Sequence, residues 1–330
     1  MSTTTFDLDR DVRFEKLRKR IRALIGFTLV RILAPVVRRL TDQKYFYAFE
    51  RYGVHVTPIH FYQPIPDTRM ITAADSKPET DPPGIRFNAS LQRQLIRRFA
   101  ARYKNEYSQF LREKGDSPIE FFLENGAFGY VDAEILHCMV RHLRPRRIIE
   151  VGCGFSTLVV AGAIRASIKV NKRYTCSFTG IDPYPLAMLE EVSEVSDLIR
   201  EPVQSVPLRL FEALKSGDIL FIDSSHVLIT GGDVRYELLE ILPRLRKGVY
   251  VHFHDVFIPS DYPRSWQIEK AIFWNEQYAI QAFLEFNSTF KIVWASSYMS
   301  LRHPDELRTA FSSFDPDGPR PASLWLQRMI

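Results

Sequence analysis

From about residue 130 onward, short apolar runs alternate with stretches of helical periodicity, the pattern of βαβ units around a parallel sheet. Arg147–Val151 predicts a buried strand, with a helix over Ala133–His142 before it and another over Ser156–Ile168 after it. Further strands are predicted over Tyr174–Ile181, Asp218–Asp223 and Gly248–His254, the last two separated by a helix over Asp233–Leu245. A long helix over Ser265–Phe286 leads to a strand over Phe290–Ala295, a helical insertion near Pro304–Phe311, and a last strand over Ser323–Gln327 that closes the sheet. The expected fold class is α/β: a doubly wound, Rossmann-like sheet with helices on both faces, preceded by a helical and proline-containing N-terminal extension.

That extension reads differently. Phe14, Leu17, Ile21, Leu24 and Ile25 recur at helical spacing beneath a basic face, which permits binding to a membrane surface, or docking on the protein itself or a dimer partner. The apolar run from Ala23 to Val37 is interrupted by Arg31 and Pro35 and falls short of the ~20 residues a bilayer span needs. The polar, acidic start carries no cleavable leader pattern. An aromatic segment, Tyr45 to Tyr62, passes into a proline-containing stretch from Pro58 to Gly84 that predicts little regular structure. Helical periodicity returns over Leu91–Leu111 with Leu95, Phe99, Tyr103 and Tyr107. The organisation expected is a basic amphipathic segment at 1–44, a linker or substrate cover plus helix at 45–119, and the α/β domain at 120–330.

Charge sharpens this division. Residues 1–40 hold ten Lys or Arg against four Asp or Glu, a surplus of six, so the formal charge of +5 leaves the other 290 residues at minus one. A body without a positive surplus gives no reason to expect nucleic acid as a partner. Cys138, Cys153 and Cys176 have neither paired metal-type spacing nor an even count. They fit a reducing, cytoplasmic setting, with peripheral contact at the inner membrane face left open by the basic helix.

The chemistry concentrates at Glu150-Val151-Gly152-Cys153-Gly154-Phe155-Ser156-Thr157, a strand running into a glycine-containing turn and a helix. Gly152 and Gly154 allow close backbone approach to a ligand, and the helix start offers unpaired N–H groups with Ser156 or Thr157 as a cap. A dinucleotide fingerprint would ask for a third glycine where Thr157 stands, which disfavours a nicotinamide-dependent oxidoreductase.

The E-x-G-x-G turn resembles that of the class I S-adenosylmethionine-dependent methyltransferases. Gly180-Ile181-Asp182, Asp218 to Asp223 and Gly248 to Asp255 follow in the family's order, so the resemblance covers about 200 residues. Phe221-Ile222-Asp223-Ser224-Ser225-His226, with Asp233 downstream and His254-Asp255-Val256 later, is similar to the bacterial subgroup related to macrocin O-methyltransferase. The resemblance implies S-adenosyl-L-methionine as cofactor. It assigns Glu150, Gly152, Cys153, Gly154, Ser156 and Thr157 to the cofactor turn, with Asp223 close by, and Asp182 to the ribose hydroxyls. Asp182 lies 32 positions after Glu150, where about 20 is usual. It also implies a methyl acceptor, a hydroxyl on a small molecule or glycan, and leaves a homo-oligomer open.

Asp223, His226, His254 and Asp255 are expected to converge as catalytic residues. A histidine with pKa near about 6.5 can take the proton of a hydroxyl acceptor. Alternatively, Asp223 and Asp255 hold Mg2+ or another divalent cation that acidifies the acceptor. In metal-dependent relatives the fifth strand ends in two oxygen-bearing residues, and here the first is His254. His252 is read as structural, Trp274 as packing, and Trp266 as either packing or an acceptor contact. A non-catalytic Rossmann-like module docked through its N-terminal helix is the remaining alternative.

Overall fold

The computed structural model describes residues 5–71 and 80–330, with side chains from residue 18 in the first stretch. Pro78 and the side chains of Phe14 and Leu17 therefore lie outside the described residues. The chain divides into two compact units, Met1–Ile71 and Thr72–Ile330.

In the first unit, helix α1 runs from Thr5 to Val37 and α2 from Gln43 to Glu50. Along α1, Ile21, Leu24, Ile25, Phe27, Val30, Leu33 and Val36 are all exposed. At 100° per residue Ile21, Leu24 and Ile25 share one side of the helix, and Phe27, Val30 and Leu33 carry apolar surface around the rest of it. No described helix is long and apolar enough to cross a membrane.

The second unit is built on a seven-stranded sheet in the order β3-β2-β1-β4-β5-β7-β6. Its strands are β1 (Arg147–Val151), β2 (Ser177–Ile181), β3 (Val195–Ile199), β4 (Ile219–Ile222), β5 (Tyr250–Phe253), β6 (Phe290–Ala295) and β7 (Leu324–Arg328). The first five are parallel, and β7 runs antiparallel between β5 and β6. Successive residues of β4 point to opposite faces yet all four are buried, so both faces of the sheet are covered. Helix α3 (Ala89–Tyr107) belongs to this unit and meets α4 (Asp132–Leu143), β6 and the helix Pro304–Ala310. Helix α5 (Phe155–Val170) packs on α4.

Four sequence expectations change. The last strand does not close the sheet; β7 inserts inside it and leaves β6 at the edge. The long helix over Ser265–Phe286 is broken into Arg264–Ile268 and Glu276–Leu284, because the His226 carbonyl accepts the N–H groups of Asn275 and Glu276, at 3.2 Å each. The helix over Asp233–Leu245 changes pitch, α-helical to Tyr236, π-helical over Glu237–Ile241, and 3-10 over Leu242–Arg244, where Pro243 has no N–H to give. Strand β2 begins at Ser177, since Tyr174 N–H turns back to the Asn171 carbonyl.

Candidate active site

The strand order reverses between β1 and β4, and in open α/β sheets ligands bind at that switch point, beyond the carboxyl ends of the strands. Gly152 sits there with φ +79°, and a Cβ added to it would stand 1.8 Å from the Asp223 carbonyl oxygen. Its lack of a side chain thus serves the closure of β1 on β4. Gly154 is the open position, where an added Cβ meets nothing within 4 Å.

Glu150 is fully buried and accepts hydrogen bonds from Ser156 Oγ (2.6 Å) and Thr157 Oγ1 (2.7 Å). Burial pushes its carboxyl up to about 8, opposed by these two donors. Thr157 Oγ1 also accepts the Gly154 N–H at 3.0 Å, which caps α5. The three side chains form an internal brace that sets the helix start against the strand. The Cys153 side chain is buried, and its N–H donates to Asp182 Oδ2 at 2.9 Å.

Asp182 follows directly on β2, and the pairing of Val151 with Ile181 brings it level with Gly152. The long sequence interval is absorbed by the 16 residues of α5 and the turn after it. Asp182 Oδ1 accepts the Tyr184 N–H at 2.7 Å. Each carboxylate oxygen has one backbone donor and a second lone pair, and the side chain is only half-buried.

Asp223, His226, His254 and Asp255 do converge. His226 Nε2 lies 3.2 Å from Asp223 Oδ1 and 3.7 Å from Asp255 Oδ2. His254 Nδ1 lies 3.5 Å and 3.7 Å from the same two atoms. Both rings are buried. Burial opposes charge on His226, but Asp223 and Glu276 raise it to about 10. Burial likewise opposes charge on His254, and the Asp255 and Asp223 charges overcome this and hold it well above the ordinary histidine range. Asp223 is held low, burial being outweighed by the His254 charge and the His226 hydrogen bond, whereas burial raises Asp255. The free cluster therefore holds imidazolium at neutral pH, unlike the unshifted histidine expected from sequence.

Val131, His226 and Asp255 adopt positive φ (64°, 60° and 54°), a conformation that L residues hold at a strain of roughly 1–3 kcal/mol each. All three flank this cluster, as strained residues at functional sites tend to. His252 accords with its structural reading: it is buried, hydrogen-bonded to Ser323 Oγ at 2.9 Å, and stacked on Phe221. Trp266 and Trp274 are half-buried against Phe257, Tyr262 and Ala322, and Trp274 also lies 4.3 Å from the His226 ring.

Sequence reasoning missed three neighbours. Asp132, the first residue of α4, accepts the Ala322 and Ser323 N–H groups at 2.7 and 3.0 Å and lies 3.7 Å from His254 Nε2. The Phe128 ring lies 4.7 Å from that of His254. Glu276 Oε2 lies 2.8 Å from His226 Nδ1. The signal for Glu276 was the polar run Asn275-Glu276-Gln277 inside an otherwise apolar and aromatic stretch. A cavity of about 760 Å³, lined by Gly84, Asn88, Phe286, Lys291 and Met329, opens beside the start of β6, at the sheet edge opposite these residues, and takes no part in their chemistry.

A doubly wound α/β enzyme with a nucleotide-type turn at its switch point is the class that this fold and site define. Residues 149–256, about a third of the chain, match the family described as a methyltransferase domain. An uncharacterized protein of Archaeoglobus fulgidus is 28% identical over 173 residues, 49% of this chain and 75% of that protein. The O-methyltransferase from Bacillus cereus in complex with SAH is similar over 73% of this chain and 91% of its own, at 14% identity and a TM-score of 0.35. A TDP-rhamnose 3'-O-methyltransferase of calicheamicin biosynthesis is similar over 72% and 93%, at 16% identity and a TM-score of 0.38.

Proposed function

We propose that the protein transfers the methyl group of S-adenosylmethionine to a hydroxyl oxygen of a small molecule or glycan, at the cluster formed by Asp223, His226, His254 and Asp255. The observation that carries this reading is the meeting of two histidines and two aspartates beside the Gly152–Gly154 turn, from the ends of the adjacent strands β4 and β5, of which β4 pairs with β1. The cofactor would lie along Gly154, with the start of α5 supplying N–H groups and Asp182 accepting from the ribose hydroxyls. Bound there, it supplies an electrophilic methyl group. The chain's own residues orient the acceptor, exclude water and take up the hydroxyl proton.

His254 is the proton acceptor in this reading. The Asp255 and Asp223 charges raise the affinity of its ring for a proton, and a cation held by those two carboxylates would offset that effect. Their paired oxygens suit a divalent ion, which when bound acidifies a coordinated hydroxyl. Steady-state rates of wild type and His254→Ala, followed by S-adenosylhomocysteine release with a panel of glycosylated and aromatic hydroxyl compounds, test this. The expected result is a fall of about 10² to 10⁴-fold in the chemical step with cofactor affinity nearly intact, and loss of wild-type turnover in EDTA. Wild-type turnover by His254→Ala in EDTA would remove both roles.

The exposed apolar residues of α1, with Arg18, Lys19, Arg20, Arg22, Arg31, Arg38 and Arg39 among and beside them, favour peripheral attachment to an anionic membrane surface.

A further inference from the structure

The first turn of α4 carries a second buried carboxylate, on the side turned away from His254. Asp132 and Glu134 stand two positions apart, about 200° around the helix. Asp132 meets His254, whereas Glu134 lines a separate cavity of about 340 Å³. The end of α3 at Tyr107, the segment that follows it, and residues 312–315 complete the wall. A cavity of that size is large enough for a small organic molecule.

Glu134 is 3% exposed, and its Oε2 has no hydrogen-bond partner among the described residues. Its Oε1 accepts from Ser313 Oγ. Burial pushes this carboxyl up to about 7, opposed chiefly by the Ser313 hydroxyl, so nothing of opposite charge holds it ionised. Buried carboxylates are ordinarily paired or fully hydrogen-bonded, and an orphaned oxygen in a cavity wall is the acceptor half of a contact. The rest of the wall fixes the sign and shape of the other half. Asp315 adds an exposed carboxylate at the mouth. Arg112 also lines the wall, but Glu124 holds its guanidinium at 2.6 Å and accepts the Tyr130 hydroxyl at 2.8 Å. Tyr107, Phe110, Tyr130 and Phe314 supply aromatic surface, which suits both an apolar body and a positive charge.

We propose that this cavity binds a small primary ammonium compound with an apolar or aromatic body, its N–H groups donating to Glu134 and its body resting among Tyr107, Phe110, Tyr130 and Phe314. An ammonium group has three donors and no acceptor, so it satisfies Oε2 and compensates the buried charge in one contact. A neutral hydroxyl compound of the same shape would fill the space and leave that charge unmatched. The site shares no residue with the Asp223, His226, His254 and Asp255 cluster, so it stands or falls independently of methyl transfer.

Calorimetric titration of full-length protein with 2-phenylethylamine, and with its neutral counterpart 2-phenylethanol, tests it. One amine per chain, bound at least about tenfold more tightly than the alcohol, is expected. Glu134→Gln keeps the shape of the side chain and removes its charge. It should weaken amine binding at least about tenfold and leave binding of the alcohol nearly unchanged. Phe314→Ala, which opens the aromatic wall, should weaken binding of both compounds. Circular dichroism checks that each variant is folded. No measurable binding of the amine to wild type, or equal affinity for amine and alcohol, overturns the site. Unchanged amine affinity in folded Glu134→Gln overturns it as well. Should Glu134→Gln fail to fold, the wild-type comparison still decides, and unchanged amine binding by folded Phe314→Ala again overturns the site.

Discussion

Replacing the two turn glycines one at a time separates what holds the strands together from what a cofactor touches. In Gly152→Ala the new methyl must occupy a residue with φ +79°, a conformation that disfavours an L side chain by roughly 1–2 kcal/mol. The same methyl would lie 1.8 Å from the Asp223 carbonyl oxygen and 2.7 Å from its carbon, so the ends of β1 and β4 must part by about an ångström or more. Overpacking of that kind adds about 1–3 kcal/mol. The 2.9 Å hydrogen bond from Asp223 N–H to the Val151 carbonyl stretches with it, at about 1 kcal/mol net. A loss of about 3–6 kcal/mol follows, a large part of the stability of a typical domain. Gly154→Ala meets no such obstacle: its φ of −165° is extended backbone and the added Cβ has no neighbour within 4 Å. Its stability should stay within about 0.5 kcal/mol of wild type, while S-adenosylhomocysteine affinity falls at least about tenfold because the methyl enters the space beside the turn. Urea denaturation reads the first quantity and calorimetric titration the second. A Gly152→Ala protein within about 1 kcal/mol of wild type would refute the close approach of the two strands. Undiminished binding by Gly154→Ala would place the cofactor elsewhere.

Three further outcomes are expected. Although burial alone would raise its pKa, Glu106 is held down to about 2 by hydrogen bonds from Arg141 (2.6 and 2.8 Å) and His137 (2.8 Å). A depressed carboxylate stabilises the fold above its unfolded value, so about 2 kcal/mol, after allowance for partial exposure, should be lost as pH falls from about 4.5 toward 2. Glu106→Gln should abolish that part of the acid dependence, and an unchanged profile in urea melts at stepped pH would contradict it. Asp182→Ala should weaken S-adenosylhomocysteine binding by roughly 1.5–3 kcal/mol in calorimetry, with unchanged affinity moving the ribose contact elsewhere. Full-length protein should float with anionic vesicles and not with neutral ones, while a chain starting near Thr41 should float with neither; equal behaviour of the two proteins would count against a membrane role for α1.

Strands β1, β4 and β5 were legible because they are mostly buried and read as short, largely apolar runs leading to glycine, aspartate or histidine. The convergence of Asp223 with His254 and Asp255 followed from the adjacency of β4 and β5. Strand β3 was not legible: its residues are half-buried or exposed at the sheet edge, so no apolar run marks it. The break at residues 269–275 was hidden for another reason, since it depends on the His226 carbonyl, about 50 positions earlier in the chain. Glu150 and Thr157 were read as a ligand surface because the motif gives their positions but not the direction of their side chains, which turn inward to each other. Asp132 and Glu276 reach the site from helix starts far away in sequence, and periodicity does not report such contacts.

The central claim is that S-adenosylmethionine lies across the β1–β4 switch point with its methyl group facing the histidine and aspartate cluster. A crystal structure with S-adenosylhomocysteine tests this most directly. It should show the ribose hydroxyls on Asp182, the chain passing along Gly154, and the sulfur facing Asp223, His254 and Asp255. Electron density for the ligand anywhere else, or a sulfur turned away from that cluster, would contradict the account.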